Sequence, residues 1–145
     1  MKIREYKPAD LPAILALFHD TVHAVNARDY TPVQLNAWAP DHPDLAEWKR
    51  RLESHRCLVA VENGEIAGFG DIDETGYLDH LFVAADRQGT GIGTALCDAL
   101  EAGPVHTDAS ITARPFFEAR GYRVVTEQKV LCRGVVMPNY HMEKL

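Results

Sequence analysis

Gln88-Gly89-Thr90-Gly91-Ile92-Gly93 sets three glycines within five residues, between an apolar strand and an amphipathic helix. That is the arrangement in which backbone amides can close around a phosphate at a helix N-terminus. The strand, Tyr77-Leu78-Asp79-His80-Leu81-Phe82-Val83, carries two side chains able to accept a proton, Asp79 and His80. Period-two alternation puts Tyr77, Asp79, Leu81 and Val83 on one face and Leu78, His80 and Phe82 on the other. His80, between apolar neighbours, reads as packed against a helix with one hydrogen bond, and Asp79 as the freer acceptor. Two other phosphate motifs fit poorly. A P-loop wants Gly-Lys-Ser/Thr, whereas Gly93 is followed by Thr94, and a dinucleotide fingerprint wants its glycines after the first strand.

The elements that must position this loop follow from periodicity. Lys2 to Tyr6 reads as a strand, and Pro8-Ala9-Asp10 opens a helix with Leu11, Ile14, Leu15, Phe18 and Val22 on one side. Thr31-Pro32 starts a second helix and Leu45 to His55 forms a third. Cys57 to Val61, Ile66 to Ile72 and Tyr77 to Val83 make an antiparallel meander, with Asn63-Gly64 supplying the positive φ of the first hairpin. After the glycine loop, Ile92, Leu96 and Leu100 recur every four residues as a helix. Val105 to Asp108 is a strand, Thr112 to Arg120 a short helix closed by Gly121, and Tyr122 to Cys132 with Val135 to Met142 a terminal hairpin.

The 145 residues predict a single domain over 1–145, 46% hydrophobic and 25% charged, which is globular rather than disordered composition. A net charge of -6 argues against general nucleic-acid binding. No run reaches membrane-spanning length and the first residues are not a secretory signal, so a cytoplasmic protein with no membrane association is expected. Cys57, Cys97 and Cys132 are odd in number and widely spaced, and read as small buried hydrophobes. His19 and His23 lie one helical turn apart without a supporting ligand pattern, so no metal site is expected.

Gln88-x-x-Gly91-x-Gly93, following a strand that closes at Val83, resembles the acyl-coenzyme A pyrophosphate loop of the GNAT superfamily of N-acetyltransferases. The element order is similar to that superfamily's over almost the whole chain. Asp108 to Ala113, Phe116-Phe117-Glu118, Gly121-Tyr122, Arg133-Gly134 and Asn139 to Met142 resemble its bacterial YafP-type branch. The resemblance implies an α/β (α+β) fold with a mixed, mostly antiparallel sheet, splayed after the fourth strand and flanked by helices. It implies acetyl-coenzyme A as cosubstrate, held by Leu81, Phe82, Val83, Arg87, Gln88, Gly89, Thr90, Gly91, Ile92, Gly93 and Thr94, with Phe116 and Phe117 beside them. Its catalytic group would be Asp79, acting as base through a water, with Tyr77 orienting that water and Ser110 near the departing thiolate.

The superfamily's usual acid is a tyrosine at the position of Phe117, which has no proton to give. The implied reaction is acetyl transfer to the primary amine of a small molecule. The alternatives are an inactive acyl-coenzyme A sensor, or transfer to a protein or aminoacyl-tRNA amine. His23, Asn26, Tyr30, Trp38, Asn139 and Tyr140 are expected around the acceptor, Trp38 also as lid or core packing. A homodimer is compatible with all of these readings.

Overall fold

Apolar alternation in Arg56–Glu62 (β2) sends Cys57 and Val59 to one side and Leu58 and Ala60 to the other, and all four are buried. A strand buried on both faces must run inside a sheet that helices cover on each side. The computed structural model, which describes residues Met1–Leu145, has that form. Its other strands are Lys2–Glu5 (β1), Glu65–Ile72 (β3), Tyr77–Val83 (β4), Val105–Ser110 (β5), Arg123–Cys132 (β6) and Val135–Lys144 (β7). They form one sheet in the order β1-β2-β3-β4-β5-β7-β6.

Helices Leu11–Ala24 (α1), Pro32–Trp38 (α2) and Leu45–Ser54 (α3) cover one face. Ile14, Phe18, Val22, Leu35 and Leu52 pack there on Val59 and Phe69. The expected helix at Pro8 begins instead as a 3₁₀ turn, Pro8–Asp10, because buried Asp10 accepts from the Lys7 amide and from Arg4 before α1 starts. Thr31 and Gln34 form a reciprocal cap on α2, and Asp44 caps α3. On the opposite face, Ile92–Leu100 (α4) buries Ile92, Leu96, Cys97 and Leu100, and Arg114–Ala119 (α5) adds Phe117. α4 lies close on β3 because Gly68 and Gly70 have no side chains. A Cβ at Gly68 would stand 2.9 Å from Ile92 Cγ2, and one at Gly70 2.9 Å from Leu100 Cδ1.

Two irregularities shape the middle of the sheet. β4 and β5 are parallel and pair only at Tyr77 with His106 and Leu78 with Thr107. Beyond that point β5 is held by β7 alone, and a gap opens beside Leu81 to Val83 as expected. The second is a bulge: the β3–β4 register passes from Asp71 opposite His80 to Ile72 opposite Leu78, leaving Asp79 as the extra residue. The strict alternation expected for this strand is therefore wrong at its centre. Leu78 packs toward α4 with Leu81 and Val83, whereas Asp79 turns to the α1–α3 face with His80 and Phe82. Two residues opposing one shift the phase of every side chain before the bulge.

Candidate active site

A cleft of about 590 Å³ runs through the gap between β4 and β5. At one end it meets the glycine loop. Gly91, with φ +90°, caps α4 in a left-handed conformation, and Gly89 has φ +72°. A Cβ at either would meet no protein atom within 4 Å, so the space over the loop is open to a ligand. The loop holds itself in shape: Gln88 Nε2 donates to Val83 O at 2.7 Å and Thr90 Oγ1 to Arg87 O at 2.7 Å. The Ile92 side chain is buried, so its part in any ligand contact is its amide, one of the first-turn N–H groups with no partner in the helix.

Gly93 has a packing role, since a Cβ there would lie 3.3 Å from Phe116 Cε1. Thr94 is exposed on the first turn of α4. Arg87 lies outside this cleft, its guanidinium paired with Glu62 at 3.3 Å and Glu65 at 3.7 Å at the β2–β3 turn.

Phe117 is buried, edge-on to Phe116 and Tyr122, and forms cleft wall with Phe116. Ser110, also on the cleft, accepts from the Ala113 amide at 3.0 Å and from Asn26 Nδ2 at 3.4 Å, which leaves its own proton to donate. Tyr77 donates to Asp108 Oδ2 at 2.8 Å. Burial first, and then Asp108, pushes the Tyr77 phenol above its ordinary range, so it stays neutral. Asp108 itself is held below the usual carboxyl range, because His141, Tyr77 and Gln128 together outweigh its burial.

At the other end, Phe18, Trp38, Trp48 and Phe82 make aromatic walls. Trp38 stands edge-on to Phe18 and Tyr30, at 6.3 and 5.6 Å between ring centroids. Asn26, Tyr30 and Asn139 also reach this cleft, as expected. His23 does not, bonding Ala39 O instead, and the Tyr140 ring lies under Arg114. Cys57 and Cys97 are buried, and burial pushes the Cys97 thiol up to about 12. Cys132 is half-buried and bonds Ala37 O.

Below the aromatic walls lies a polar network of which sequence reasoning saw only two members. Asp79 is paired with Arg51 of α3, whose Nη2 sits 2.7 Å from Oδ1. Asp71 of β3, with no exposed surface, receives His80 Nδ1 on one oxygen and His55 Nδ1 on the other, both at 2.8 Å. Burial alone would raise the Asp71 carboxyl; the two imidazoles outweigh it and hold it ionised. The His80 ring is stacked on Trp48 with centroids 4.7 Å apart. The signal that would have found Asp71 is a charge inside the apolar run Phe69 to Ile72. Nothing local marks Arg51 or His55.

A model of the acetyltransferase (GNAT) domain family matches residues 26–144. The uncharacterised N-acetyltransferase YafP of Escherichia coli K12 is 36% identical over 144 residues, covering 98% of this chain and 94% of that protein. A crystal structure of a GCN5-related N-acetyltransferase from Rhodopseudomonas palustris superposes with a TM-score of 0.95 at 33% identity, covering 99% of this chain and 94% of the other. The PaiA N-acetyltransferase of Thermoplasma acidophilum, solved in complex with coenzyme A, shares the fold with a TM-score of 0.78 at 14% identity, over 99% and 97% of the two chains.

Proposed function

The chain belongs to the GNAT family of acetyltransferases, and from that membership we propose that it transfers the acetyl group of acetyl-coenzyme A to the primary amine of a small molecule. The observation that carries this reading is one continuous cleft, with an open glycine loop at one end and the proton-accepting side chains of β4 at the other. Amides from Gln88 to Thr94 hold the pyrophosphate, Leu81 to Val83 hold the pantetheine arm along the unpaired edge of β4, and Phe116 and Phe117 wall its path. The aromatic walls favour a small acceptor with an apolar body, whose amine reaches toward Asp79 and His80.

A free alkyl amine has a pKa of about 10, so it enters protonated and must lose a proton before it can attack the thioester. Strand β4 offers the acceptor for that proton. The amine nitrogen then bonds to the acetyl carbon, the carbon–sulfur bond breaks, and the second amine proton leaves with the thiolate, directly or through Ser110. Phe117 supports a second reading, an acyl-coenzyme A sensor without turnover.

Release of free thiol from acetyl-coenzyme A tests both readings, with phenethylamine, tryptamine, spermidine and kanamycin as acceptors, alongside calorimetric titration of the coenzyme. Thiol release above the uncatalysed rate with any of these amines is the expected result. Tight coenzyme binding without turnover on any of them would favour the sensor, and no binding would remove both readings.

A further inference from the structure

We propose that His80 is the catalytic base and that Asp71 is the positioning residue that fixes its tautomer. The inference rests on the acetyltransferase reading above and names the group that takes the amine's proton. A carboxylate only accepts hydrogen bonds, so the His80 nitrogen that meets Asp71 at 2.8 Å is the one that bears hydrogen. In the neutral ring the lone pair then sits on Nε2. That atom bonds to no protein group, and the buried side-chain polar atoms without a partner are Tyr6 Oη and Asn139 Oδ1. His80 Nε2 is therefore not sealed in the core. It opens into the cleft that His80 lines.

The rest of the ring is held in place by its neighbours. Trp48 stacks on it, and Phe18 meets it edge-on with centroids 6.1 Å apart. Asp71 is itself anchored by His55 on its second oxygen. The charged and titratable groups around the ring are Asp71 from β3, Asp79 from β4, and Arg51 with His55 at the end of α3; α1 contributes Phe18. A buried carboxylate on Nδ1 orients an imidazole and stabilises the imidazolium formed when Nε2 takes a proton. Asp79 is less suited to the role because Arg51 engages both of its oxygens. Its Oδ2 lies 3.7 Å from His80 Nδ1.

The step balances. His80 Nε2 takes one proton from the alkylammonium, giving the free amine and the imidazolium. The amine lone pair forms the carbon–nitrogen bond as the thiolate departs, the remaining surplus proton on nitrogen goes to the thiolate, and the imidazolium returns its proton to water.

Two measurements test the assignment. Long-range proton–nitrogen NMR of the unliganded protein should show neutral His80 protonated at Nδ1 and bare at Nε2, with that preference lost in Asp71→Asn; an Nε2-protonated ring in the wild type overturns the proposal. With phenethylamine or whichever panel amine turns over, His80→Gln should lower kcat by about 100- to 10,000-fold with unchanged acetyl-coenzyme A affinity. Asp71→Asn, which keeps the ring, should lower kcat with little change in KM for acetyl-coenzyme A. Asp79→Asn should lower kcat less than His80→Gln. A folded, coenzyme-binding His80→Gln enzyme with wild-type kcat overturns the inference and leaves the acetyltransferase reading standing. Wild-type protein that acetylates no amine removes that reading and this one together.

Discussion

Gly91 caps α4 in a left-handed conformation, and the proposed role of its loop is to hold a ligand. Its φ of +90° disfavours any side chain by about 1–2 kcal/mol, yet a Cβ there meets no protein atom. Gly91→Glu should therefore fold, with a stability loss of that order by urea titration. Its carboxylate would stand where the proposed site takes a di-anionic pyrophosphate, so acetyl-coenzyme A affinity should fall more than about tenfold by calorimetry. Wild-type affinity would mean the loop is a turn and nothing else. Gly93→Ala, whose methyl presses on Phe116, should act through packing instead. The loop was legible as residues, whereas His80 reads in the sequence as a packed side chain. What the sequence did not disclose was that Arg87 answers to Glu62 and Glu65, since only folding brings the β2–β3 turn beside it.

The decisive element is β4, with its bulge at Asp79 and its short pairing to β5. At the last paired position, buried Thr107 donates its hydroxyl to Leu78 O at 2.7 Å, tying the strands where they part. Thr107→Val keeps the shape and removes that bond. It should cost about 1–3 kcal/mol in chemical denaturation and weaken acetyl-coenzyme A binding as the gap loses its hinge point. Unchanged stability and binding in this variant would show that the parting is held elsewhere. The strand itself, Tyr77 to Val83, was legible from composition to the residue. Its bulge was not, because a bulge is a relation between two strands and either strand alone reads as regular.

At the scale of the molecule, Glu101 after α4 ties the far side of the sheet together. It accepts from Arg120 at 2.7 Å, Tyr122 Oη at 2.7 Å and Lys144 at 2.9 Å. Burial works to raise its pKa, but these partners prevail and lower it from 4.5 to about 2. A carboxyl depressed in the folded state stabilises the fold above its unfolded pKa and loses that contribution as pH falls through the folded one. Stability should thus decline between pH 4.5 and about 2. Glu101→Gln should flatten that decline and lose about 2 kcal/mol at neutral pH, both read from melting curves. An unaltered acid limb in the variant would assign the decline to other carboxyls.

No helix is long and apolar enough to cross a membrane. The sequence by itself determined the element order, the glycine loop and the strand that carries the site, because periodicity and backbone conformation are local and a few neighbouring residues specify them. The tertiary structure alone decided which side chain faces the cleft. That choice rests on the β3–β4 register and on partners far apart in the chain, as Arg51 is from Asp79 and His55 from Asp71, which meet only once α3 has packed on the sheet.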